Sequence, residues 1–182
     1  MSVHGTGGNP GSNRGSTSRP LKLPFDPIER AAELWERRWG PSSAMAAVTS
    51  IMRVHAILLG EMDAILRPYG LTFARYEALV LLVFSQEGAL PLRKMGERLM
   101  VHPTSVTNAV DRLETQGLVL RRPNPNDGRG VLAEITGKGR DVVEKATRDL
   151  MGAEFGLGSY TEDQLKDMFA LLRELRVETG DF

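Results

Sequence analysis

The chain has 182 residues, 41% of them apolar and 25% charged, which is enough for one packed domain with an appendage and too little for a barrel enzyme. Twenty-three basic residues balance 23 acidic ones, and the absence of cysteine excludes disulfides, thiolate nucleophiles, cysteine redox sensing and thiolate metal sites. The balance is uneven along the chain: residues 91–140 carry nine Lys or Arg against five acids, a local excess that points to a surface facing a polyanion.

Residues 1–20 hold five Gly, four Ser and two Pro, no acid, and only Met1 and Val3 as aliphatic side chains. Such a segment cannot offset the entropy of ordering, so residues 1–26 read as a disordered leader. No stretch reaches the roughly 18 continuous apolar residues of a membrane span, and the N-terminus lacks the apolar run of a secretory signal. The expectation is a cytoplasmic protein with no membrane partner.

Asp26 can cap a helix that starts at Pro27 and stops at Gly40-Pro41, forming an N-terminal extension over 27–41. Ile28, Ala31, Ala32, Trp35 and Trp39 fall at helical spacing, so this helix is expected to pack on the body of the protein through its tryptophans. Ser42 or Ser43 then opens a helix that runs to Tyr69 before Gly70. Met45, Val48, Met52, His55, Leu59, Met62, Leu66 and Tyr69 follow one another in alternating steps of three and four, with Ile51, Leu58 and Ile65 alongside. That is the spacing of a coiled-coil seam, too broad for a chain of this size to bury alone, and it predicts a homodimer. His55 has no His, Cys or carboxylate three or four residues on, so it reads as a satisfied core or interface residue and no metal is expected.

Thr72 starts a helix through Phe84 that buries Tyr76, Leu79, Val80 and Val83. Pro91–Leu99 predicts a short helix, Met100-Val101-His102 a turn, and Pro103 the start of a second helix that hides Val106, Ala109, Val110 and Leu113. This second helix shows Thr104, Ser105, Thr107, Asn108, Asp111 and Arg112 to the outside. Two short helices three residues apart describe a helix-turn-helix, and short hydrogen-bonding side chains beside an arginine suit base edges and phosphates in a major groove. After Gly117, Leu118–Arg122 and Val131–Ile135 predict a β-hairpin whose loop, 123–130, holds Asp127 and Arg129 near its tip. A cation there fits a narrow minor groove. Residues 137–151 and the stretch from Thr161 to the C-terminus predict two further helices, the last opened by a capping box of Thr161 and Gln164 and striped with Leu165, Met168, Phe169, Leu172 and Leu175. No nucleophile–base pair, phosphate loop or metal-ligand spacing appears, so neither catalysis nor a cofactor is expected.

The run Val101-His102-Pro103-Thr104-Ser105-Val106-Thr107, then Val110-Asp111-Arg112-Leu113-Glu114, Gly117-Leu118-Val119, Asn126-Asp127-Gly128-Arg129, and Ile135-Thr136 with Gly139-Arg140, resembles the multiple antibiotic resistance regulator (MarR) family of winged-helix repressors. The resemblance continues more loosely over 42–175, and the helix at 27–39 resembles the N-terminal extension of one subgroup. It implies a mainly α fold with a small β-hairpin: dimerisation helices 42–69 and 137–182 around a winged helix-turn-helix at 72–136, together forming a domain over 42–182. It further implies a homodimer on a pseudo-palindromic operator, released by a small aromatic or carboxylate ligand. The expected DNA-facing set is Arg93, Pro103, Thr104, Ser105, Thr107, Asn108, Arg112, Arg121, Asp127 and Arg129. Trp39, His55, Arg75 and Tyr76 are the expected ligand contacts. The competing reading is a winged-helix architectural or protein-interaction module with no effector.

Overall fold

The computed structural model describes residues 22–125 and 127–182, without the side chains of 128 and 129. The leader expected over 1–26 therefore lies outside the described residues up to position 21. Contacts divide the chain into two compact units, one ending at Gly60 and the other running from Glu61 to Phe182.

In the first unit, α1 spans Pro27–Trp39, and the Asp26 carboxylate accepts from the amides of Ile28 at 2.8 Å and Glu29 at 3.4 Å, an end sealed as the sequence suggests. The Trp35 and Trp39 rings meet at 4.8 Å between centroids, tilted 60° to one another. No residue of α1 is buried and Trp39 is 65% exposed, so the packing expected of this helix encloses none of its side chains. Ser42 Oγ donates to Glu36 at 2.7 Å just before α2, Ser43–Leu66, begins.

Helix α2 crosses the division between the units and tightens into a 3₁₀ turn, Arg67–Tyr69, closed by Gly70 at φ 68°. An 18-residue window within Ser43–Tyr69 reaches a mean hydropathy of 1.4 and meets the length and composition of a membrane-crossing helix, although the whole stretch also holds Arg53, His55, Glu61, Asp63 and Arg67. Thus the absence of an unbroken apolar run did not make the helix polar. None of the apolar window is enclosed by the chain itself.

The second unit holds the core. Helix α3, Phe73–Val83, is anchored by its first amide, which donates to Asp63 at 2.7 Å. It buries Tyr76, Ala78, Leu79 and Leu82 against Leu66, Met95, Val110, Leu113, Leu118 and Leu150. Each such Leu contributes about 1.5–3 kcal/mol by leaving water. A strand not expected from the sequence, β1 at Ala89–Pro91, precedes α4, Leu92–Leu99, and α5, Pro103–Thr115. Strands β2, Val119–Asn124, and β3, Asp127–Ile135, follow, and the antiparallel order is β1-β3-β2. The expected hairpin is therefore the larger part of a three-stranded sheet, and its expected eight-residue loop is mostly strand: Asn124 already lies opposite Asp127, past an irregularity at Pro123. Proline, which cannot donate to the ladder, sits where the register shifts.

Helix α6, Gly137–Gly152, starts directly on the sheet. Thr136 Oγ1 accepts from the Gly139 amide at 2.9 Å, while its hydroxyl lies 2.9 Å from the Gly117 carbonyl and 3.1 Å from that of Leu118. A Cβ at Gly139 would collide with the Leu118 carbonyl oxygen, which is why glycine stands there. After a short 3₁₀ turn, α7 spans Glu162–Glu178 with both halves of the Thr161/Gln164 capping box formed, and buries nothing.

Candidate nucleic-acid interface

The two helices of the reading segment meet closely because Gly96 lets them: a Cβ there would stand 3.3 Å from both the Val101 carbonyl oxygen and Val106 Cγ2. Between them Met100 takes the left-handed conformation, φ 52°, and the Val101 amide returns to the Gly96 carbonyl at 3.1 Å. This closes α4 in the manner of a helix C-terminal motif, with methionine paying the small steric penalty normally avoided by glycine. His102 then caps α5, its Nδ1 accepting from the Thr104 amide at 3.2 Å, and Pro103 occupies the first helical position. That cap was not foreseen; an imidazole before a helix-starting proline was its signal.

Val106, Val110 and Leu113 point into the core and fix the rotation of α5. Thr104, Ser105, Thr107, Asn108, Asp111 and Arg112 are all exposed, as the helical period requires. Pro103 is exposed beside them, and Thr107 Oγ1 donates back to the Pro103 carbonyl at 3.1 Å. Arg112 makes no ion pair among the described residues. Arg93, on the exposed side of α4, pairs with Glu97 at 2.9 Å, an i,i+4 pair open to water and so weakly held.

Arg121 differs from its neighbours in this set. It comes from β2 with a side chain only 25% exposed, and its guanidinium lies 2.5 Å from Asp111 Oδ1 and 2.6 Å from Glu114 Oε2, with a further donation to the Thr107 carbonyl at 3.3 Å. Burial alone would lower its proton affinity, but the hydrogen bonds and charges of Asp111 and Glu114 outweigh that and hold its pKa above the ordinary arginine value. Asp127 is exposed and sits opposite Asn124 at the start of β3. Arg129 lies on β3, but its side chain, with all of Asn126, is outside the described residues.

The four expected ligand contacts divide between the two units. Trp39 and His55 belong to the first unit and both are exposed. Arg75 is half-buried on α3 and donates to Thr72 Oγ1 at 3.1 Å, away from Tyr76, whose hydroxyl meets Thr147 Oγ1 at 3.0 Å. Tyr76 does line an open groove of about 320 Å³ between α3 and α6, with Val80, Val83, Phe84, Val143, Glu144, Thr147 and Arg148. The α6 side of this groove lies outside the expected set, because the stretch over 137–182 reads as dimerisation helices. Among the described residues no cluster of three or more His, Asp or Glu could hold a metal.

The sequence model described as the MarR family matches residues 71–131, the span from α3 into the wing. Among solved structures, Sco5413, a MarR family transcriptional regulator from Streptomyces coelicolor, is 66% identical, covering 76% of this chain and 96% of that one with a TM-score of 0.72. A mutant of MarR from E. coli complexed with operator DNA is 25% identical over 74% of this chain and 96% of that one, TM-score 0.66. CouR from Rhodococcus jostii RHA1, bound to p-coumaroyl-CoA, is 26% identical over 71% and 89%, TM-score 0.61. Sco5413 is thus a transcriptional regulator, and the three structures share the mainly α winged-helix fold of this chain.

Proposed function

Since this chain belongs to the MarR family of transcriptional regulators, we propose that it acts as a cytoplasmic homodimeric repressor whose α5 enters the major groove of a pseudo-palindromic operator. The observation that carries this reading is the row Thr104, Ser105, Thr107, Asn108 and Arg112, exposed on a helix whose opposite side is locked into the core by Val106, Val110 and Leu113. Pro103 and the α5 N-terminus face phosphate, Arg93 adds a backbone contact from α4, and Asp127 and Arg129 belong to a wing that reaches the minor groove. Val48, Met52 and Leu59 on α2, with Phe169, Leu172 and Leu175 on α7, are exposed in the single chain and supply the dimer surface. This assigns the apolarity of α2 to a second copy in place of a membrane.

The groove between α3 and α6 has the volume and apolar lining of a small-molecule site, with Tyr76 and Phe84 for stacking and Arg148 as a counter-charge for a carboxylate. An aromatic acid bound there would press on α6 and thereby on the wing. No observation favours the effector-free architectural reading. The test is fluorescence anisotropy with a duplex enriched by the protein from a random pool: Arg112→Ala and Arg129→Ala should each cost about 1–3 kcal/mol of specific binding. Full affinity in both variants would remove these residues from the interface.

A further inference from the structure

A helix that lies against phosphates is a poor place for carboxylates, yet α5 carries Asp111 in the middle of its exposed row and Glu114 one turn further on. Both charges fall within a Debye length of any DNA the row would touch, about 10 Å at moderate salt, so repulsion is not screened away. Arg121 answers both. Strand alternation puts it on the same side of β2 as buried Val119, so its side chain runs toward α5, whereas Arg122 points the other way and pairs with Glu134.

The contacts from this one residue gather two turns of the reading helix. Its backbone amide donates to Glu114 Oε1 at 3.3 Å, one terminal nitrogen reaches Glu114 Oε2, and the other reaches both Asp111 and the Thr107 carbonyl. The planar fork of a guanidinium can serve separate acceptors from fixed directions, which a lysine ammonium on a flexible stem does less well. We propose that Arg121 is a positioning residue: from the root of the wing it holds α5 in register on the sheet and masks the Asp111 and Glu114 charges from the phosphates, without touching DNA itself. This rests on the DNA-reading role proposed above and gives a different office to a residue that its charge alone would place on the nucleic acid.

The test compares wild type, Arg121→Met, and the triple variant Arg121→Met/Asp111→Asn/Glu114→Gln by anisotropy across a salt series, using a duplex of about 30 base pairs enriched from a random pool by the wild-type protein. The single variant leaves two carboxylates bare and should lose on the order of 10- to 100-fold in affinity. The triple variant has no cation at 121, yet should return to within about threefold of wild type with an unchanged slope of log affinity against log salt, because the number of phosphate contacts is the same. A triple variant as weak as the single one overturns the proposal. If its slope is also shallower by about 0.9, Arg121 touches a phosphate; with the slope unchanged, it serves the fold alone. Neutralised clusters of this kind are generally tolerated, so thermal unfolding should show the triple variant folded, and its failure to fold would likewise count against the proposal. Should the wild type enrich no duplex, the DNA-reading role fails first, before any variant is compared.

Discussion

Leu113 on α5 is fully buried, whereas Leu172 on α7 is 40% exposed, although each stands in the apolar stripe that its helical period defines. The same contrast separates Met95, Val106, Val110, Leu118 and Val119 in the reading segment from Val48, Ile51, Met52 and Phe169 on α2 and α7. The reading segment completes its own core within a single chain. The long helices do not, and periodicity alone says which side of a helix is apolar without saying what covers it. An apolar stripe left open over this many residues on two helices is the surface that the proposed homodimer would cover.

The largest effect that could break this contrast is on the open side. Phe169→Glu/Leu172→Glu should give a folded monomer, with the dimer dissociation constant raised about a thousandfold, roughly 4 kcal/mol, as read by analytical ultracentrifugation. An unaltered dimer would mean that α7 is not part of the contact. On the closed side, Leu113→Ala empties a fully enclosed position and should cost roughly 3 kcal/mol of unfolding free energy, seen as a lower denaturant midpoint. A loss below about 1 kcal/mol would show that the reading segment is looser than its burial indicates. The smallest effect sharpens the junction between the two. Tyr69, in the 3₁₀ turn that follows α2, donates to Asp149 on α6 at 2.5 Å, and this hydrogen bond is the main reason its phenol titrates above the ordinary value of 10.0. The folded value is the higher one, so the contribution of this bond is complete below the unfolded pKa and disappears as pH rises through the folded value. In an ultraviolet phenolate titration, Asp149→Asn should move one of the three tyrosines back down, and Tyr69→Phe should abolish that transition.

Much of this was legible in the order of residues. The helix-turn-helix followed from Pro91, the Met100–His102 turn, Pro103 and a 3–4 spacing of valines and leucine, all local signals that tertiary contacts had no cause to override. Strand β1 was not legible, because Ala89-Leu90-Pro91 is too short to alternate and owes its form to partners at 132–134, more than 40 positions away. The wing was underestimated at both strands for a related reason: Pro123 and Asn124 suggest a loop, yet pairing with β3 carries them as strand. Arg121 was read by charge when the better evidence was its parity with Val119, two residues before it. The groove that Tyr76 lines was not legible in the sequence, since a groove depends on how helices approach and not on the period within any one of them.

The joint at Thr136 has a mechanical consequence. This threonine ends the sheet, caps α6, and is bonded to the end of the preceding α5–β2 turn, all within one residue and with no spare chain. A loop would absorb a tilt of α6 as slack. A splice without slack passes it on, so that even a small swing at the far end of this helix must either turn the base of the hairpin with it or break several hydrogen bonds together.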